Sequence, residues 1–82
     1  MTDYDRALEL SEKALEMAGK IGAMAEVAKS YNQLGIIHQK RGDYDQAFQY
    51  HQKALEIAEK IADQAGISRS FHQIGIVHQK RG

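Results

Sequence analysis

The sequence predicts an all-α chain, four antiparallel helices joined by tight turns into a fragment of a solenoid. Three observations carry that expectation. Asp3 to Gly42 realigns without a gap on Asp43 to Gly82, and 21 of the 40 paired positions are identical. Most other pairs are conservative, such as Tyr31/Phe71, Leu34/Ile74 and Ile37/Val77. A fixed period in this range marks a solenoid, whose units must stack because none can bury its apolar face alone. Apolar and small residues also recur at steps of three and four, the spacing of one helix face, and no stretch alternates usefully with period two. Finally, the same Lys-Arg-Gly punctuation recurs one period apart, at 40–42 and 80–82.

The first helix is expected over about 3–21, on the stripe Tyr4, Ala7, Leu8, Ser11, Ala14, Leu15, Ala18 and Ile21. Asp3 is its cap, with Arg6 where a capping box would place an acid or amide. The second helix, about 24–41, carries Val27, Tyr31, Leu34, Gly35 and His38 on one face. It closes on Lys40-Arg41-Gly42: two cations offset the negative end of the helix dipole, and glycine supplies a left-handed residue just past the end. The third helix, about 43–62, opens on Asp43 with Gln46 as box partner and repeats the first stripe as Tyr44, Ala47, Phe48, His51, Ala54, Leu55, Ala58 and Ile61. The fourth, about 64–81, repeats the second as Ile67, Phe71, Ile74, Gly75 and His78. The remaining junctions, Gly22-Ala23 and Ala62-Asp63, are softer. With the second and fourth helices named type A and the others type B, the order is B-A-B-A.

Composition narrows the function. Eighty-two residues suit one small domain, here 1–82 as two repeats, 3–42 and 43–82. The chain has no cysteine for a disulfide or thiolate site and no proline to interrupt its helices. No apolar run approaches a membrane span and no leader pattern follows Met1, so a cytoplasmic protein without a membrane partner is expected. Eleven acids balance eleven bases, which argues against a nucleic-acid partner.

Catalytic signals are missing too. The sequence has no Gly-rich phosphate loop and no supported Ser-His-Asp order, and Glu9, Glu12 and Glu16 read as a solvated face. His38 and His78 are one site a repeat apart, about 10 Å when stacked, too far to share an ion. His38 and His51 without a nearby cysteine or aspartate make a weak site, so the histidines read as semi-buried rings. Neither an enzyme, a cofactor nor a metal site is expected. Gly35 and Gly75 do need a reason, because a mid-helix glycine costs about 1 kcal/mol against alanine. Close approach of a neighbouring helix supplies it, with Ala47 the expected neighbour of Gly35.

Tyr31, Leu34-Gly35, then Ala47, His51 and Ala54 resemble the tetratricopeptide repeat, whose pattern is an aromatic, Leu-Gly, an aromatic, then Ala, Phe and Ala on the partner helix, closed by Pro. Phe71, Ile74, Gly75 and His78 repeat its first half. His38, His51 and His78 stand where the family prefers Tyr or Phe, and Glu59 replaces the closing proline. The period thus stretches from about 34 to 40 residues, which is similar to the repeats of Pins-type polarity adaptors and of kinesin light chains. The resemblance implies a protein-interaction scaffold whose A helices line a concave groove. Its ladder would be Lys29, Asn32, Gln33, Ile36, Gln39 and Lys40, then Arg69, His72, Gln73, Ile76, Gln79 and Lys80. The two A helices carry six cations against Glu26 alone, and the B helices are acidic in compensation. The implied partner is therefore an acidic protein segment or peptide, bound by amides and cations.

The alternative is a self-assembly unit. The first helix presents Tyr4, Ala7, Leu8, Ala14 and Leu15 toward an A helix that does not precede it, and the last presents Phe71, Ile74, Gly75 and His78 toward a B helix that does not follow. With no polar capping helix at either end, the chain reads as a piece of a longer array whose open ends self-associate.

Overall fold

A computed structural model describes residues 3–81 as four helices: α1 Asp3–Lys20, α2 Met24–Lys40, α3 Tyr44–Lys60 and α4 Gln64–Arg81. Every start falls within one residue of the expected position and every end within two. Among the described residues there is no strand. α2 packs most extensively on α3, α3 then on α4, and α1 on α2; α2 also reaches α4. The resulting slab measures 31 × 29 × 15 Å.

All three junctions use one backbone device. At the end of α2, Asp43 N–H donates to the His38 carbonyl (2.8 Å) and Gly42 N–H to that of Gln39 (3.1 Å), with Gly42 at φ +86°. Gly22 (φ +70°) and Ala62 (φ +55°) hold the same place after α1 and α3, with the bonds Ala23 to Ala18 (3.0 Å) and Asp63 to Ala58 (2.9 Å). This paired closure satisfies carbonyls that the helix end would otherwise orphan. The Ala62 junction is thus as tightly defined as the glycine ones, although an L residue there carries strain.

The capping expectations need correction. Asp43 precedes α3 as its N-cap but makes no side-chain cap bond. Its carboxylate turns back instead, 3.6 Å from His38 Nδ1 and 3.7 Å from Arg41 Nε. Asp63 is the side chain that caps, its Oδ1 accepting from Gly66 N–H at 3.1 Å. Asp3 lies inside the first turn of α1, where its charge still suits the positive end of the dipole.

The core consists of small side chains around a few larger ones. Ala47, Ala54 and Ala58 are buried along α3, against Val27, Ala28 and Leu34 of α2 and Val77 of α4. Alanine at these heights lets backbones approach closely. The largest wholly buried side chains include Leu34, Val77 and a histidine, His51.

Candidate functional site

α3 turns His51 inward against α2, and its ring has no exposure to solvent. Nδ1 lies 2.9 Å from Asn32 Oδ1. An amide oxygen only accepts, so Nδ1 carries the proton and Nε2 the lone pair. Asn32 Nδ2 in turn donates to Ser70 Oγ at 3.2 Å, so a buried relay ties α3 to α2 and α2 to α4. Burial without a counter-charge pushes His51 down from 6.5 to about 4, so the ring is neutral at physiological pH.

The ring also accounts for Gly35. A Cβ at that position would lie 2.6 Å from His51 Cε1 and Nε2, closer than side chains approach. The expectation that Ala47 is the neighbour is corrected: the glycine makes room for the imidazole. Gly75, at the same place one repeat on, has nothing within 4 Å of its own Cβ direction.

The expected ladder distributes unevenly. Lys29, Gln33, Lys40, Arg69, His72, Gln79 and Lys80 are exposed, while Ile36, Gln39, Gln73 and Ile76 are half-buried. Asn32 departs from the expectation, because at 4% exposure its amide is committed to His51 and Ser70. Positions 29, 33, 36 and 40 form one stripe along α2, and 69, 73, 76 and 80 the matching stripe along α4. Among the described residues, no ion pair engages Lys29, Lys40, Arg69 or Lys80. The acids of α1 and α3 are paired in several places, Glu9 with Lys13 and Glu16 with Lys20 at 3.4 Å, and Asp45 with Arg81 at 2.7 Å.

Three other surfaces are notable. A cleft of about 660 Å³ opens over Leu8, Leu15, Leu34 and Tyr50, with Glu9, Glu12 and Glu16 at its rim. Beside it Tyr50 stacks on His38 (5.4 Å) and Tyr31 (6.0 Å), and Lys53 Nζ sits 5.5 Å from the Tyr50 ring centre. His38 thus behaves as the aromatic it replaces. The second surface is a groove of about 430 Å³ between α1 and α2, lined by Ala7, Leu10, Ser11, Gln33, Ile36 and Ile37. The third is the open side of α4, where Phe71 is 57% exposed and His72 and His78 are also exposed. On α1, Tyr4 (41%) and Ala14 are exposed, and Ala7, Leu8 and Leu15 half-buried; Ile74 of α4 is half-buried too. Their internal counterparts Ala47, Ala54 and Leu34 are essentially buried.

Among the described residues, no group of three His, Cys, Asp or Glu side chains could hold a metal ion. No helix there is long and apolar enough to cross a membrane. No curated protein and no solved structure matches the chain. A family model described as tetratricopeptide repeat matches residues 26–82, from the first turn of α2 through α4. That span holds both A helices, the B helix between them and the glycine–imidazole contact that locks them. The chain belongs to the tetratricopeptide-repeat family.

Proposed function

We propose that this member of a protein-interaction family is a non-catalytic cytoplasmic scaffold that binds an acidic peptide along the exposed stripes of α2 and α4. The observation that carries this reading is the state of the charges. Lys29 and Lys40 on α2, and Arg69 and Lys80 on α4, stand exposed without ion pairs, while acids on α1 and α3 are engaged by their own neighbours. Lys40 and Lys80 also suit the negative helix ends they occupy. Lys29 and Arg69, earlier in their helices, have no such role and are the anchors of the proposal. Between the cations, Gln33, Gln73 and Gln79 offer amides to a ligand backbone, and Ile36 and Ile76 give an apolar rung. Asn32 is left out, since its amide is already spent on the relay.

The test is fluorescence anisotropy with an acidic peptide pool, titrated at low and high salt. Lys29→Glu with Arg69→Glu should weaken binding at least about tenfold and remove most of its salt dependence, since exposed charges act within a Debye length of about 10 Å. Binding that keeps its strength and salt slope in the double variant would end the proposal.

A further inference from the structure

We infer that α4 of one copy docks into the α1–α2 groove of a second copy, with His72 entering a polar slot formed by Ser11 and Ser30. The groove shares Gln33 and Ile36 with the proposed peptide stripe of α2, and the chain itself supplies the template. Within one molecule, α2 lies on α3 and α4. Shifted by one repeat, α2 becomes α4, and the α3–α4 pair becomes α1–α2. Both halves of an interface that already forms internally are thus present a second time, and both stand open among the described residues.

The details agree at three points. The α1–α2 groove is lined by Ala7, Ser11 and Ile37, whose counterparts Ala47, His51 and Val77 have no solvent exposure. Gly75, like Gly35, keeps its helix face free of a Cβ, so a neighbouring helix can approach closely there, and in the single chain it has nothing within 4 Å. The third point is the relay. Asn32, His51 and Ser70 map onto His72, Ser11 and Ser30. The imidazole has moved from the B helix to the A helix, and a serine stands where it was. Ser11 and Ser30 are each only 8% exposed, and among the described residues neither has a hydrogen-bond partner. Their hydroxyls still reach solvent, and the His72 ring, exposed in the single chain, is the group the repeat would deliver to them.

A second copy is favoured over an unrelated helix because one chain carries both complementary faces in one register. The contact is heterologous, so it continues head to tail or closes as a ring. It narrows the α2 peptide stripe without closing it: Gln73 and Ile76, the counterparts of Gln33 and Ile36, are half-buried with α2 seated beside them.

The test is sedimentation velocity and light scattering on the full chain over a concentration series reaching the millimolar range. Two variants block opposite faces. Gly75→Leu fills a position with nothing within 4 Å in the single chain and removes a glycine from a helix interior, so circular dichroism should show the fold intact. Ala7→Arg places a charge in the groove on α1. Each alone should associate about tenfold to a hundredfold more weakly, and His72→Ala should weaken association in the same direction. Mixed, the two blocked variants should form a one-to-one complex and stop there, since each retains the face the other needs. A wild-type chain that stays monomeric throughout with α1 and α4 helical overturns the inference. So does association that Gly75→Leu leaves unchanged, or a mixture that forms no complex.

Discussion

Gly35 and Gly75 occupy one place in successive repeats, yet alanine should have opposite effects at the two. At Gly35 the new methyl would lie 2.6 Å from two atoms of the His51 ring, where carbon atoms prefer about 3.5–4.0 Å. Relief requires a shift of about 1 Å, and the ring has little freedom: it is wholly buried and its Nδ1–H is held at 2.9 Å by Asn32. Overpacking of this kind costs about 1–3 kcal/mol, against a helix-propensity gain of about 1 kcal/mol. The net expectation for Gly35→Ala is a loss of up to about 2 kcal/mol. Gly75→Ala meets nothing, so it should gain about 0.5–1 kcal/mol. Urea unfolding followed by circular dichroism, at dilute protein so that association does not intrude, measures both. In a His51→Ala background the Gly35 penalty should vanish, a coupling that a double-mutant cycle isolates. Equal stabilisation by both alanines, or a Gly35 penalty that survives removal of the ring, would refute the assignment of the glycine to the imidazole.

Two further outcomes follow from the same fold. His51 is held neutral by burial, so its contribution is complete above about pH 6.5 and is lost as pH falls toward about 4, where the native ring also protonates. The loss across that window is about 3 kcal/mol, and His51→Phe should flatten this part of the stability–pH curve relative to wild type; parallel curves would contradict the neutral-ring assignment. Ala62→Gly should raise stability by about 1 kcal/mol in the same assay by relieving the left-handed backbone at φ +55°, and no gain would mean that residue is unstrained.

The elements were legible in the sequence because they rest on local rules. Four helices follow from the three-and-four spacing, and the turn at Gly42 from a glycine after two cations. The equivalent turn at Ala62 was less visible because its closing bonds use only backbone and its residue does not advertise a left-handed conformation. The expected cap bond at Asp43 is missing for a reason of side-chain placement: the carboxylate turns back across the turn to lie beside Arg41 and His38. The relay was hidden for a related one. Asn32 and Gln33 are adjacent amides about 100° apart on the helix, and periodicity does not decide which of them turns inward. That choice depends on His51 and Ser70, which reach Asn32 only after α3 and α4 have packed. A glycine paired with an aromatic-position histidine was the available clue.

The relay has a consequence for how the array melts. A stack in which each helix touches only its chain neighbours behaves as a one-dimensional chain, able to unzip from either end in small steps. The Asn32–Ser70 bond skips a neighbour, and His51 sits on it from the helix between. Unfolding α4 alone would break the bond made by Asn32 Nδ2, and unfolding α3 alone the one made to its oxygen. The three helices are therefore coupled beyond nearest neighbours. α1 lies outside that tie, and its packing is on α2 alone. Heat should release it first and leave behind a three-helix remnant whose newly bared face is the one that α1 covers in the intact chain.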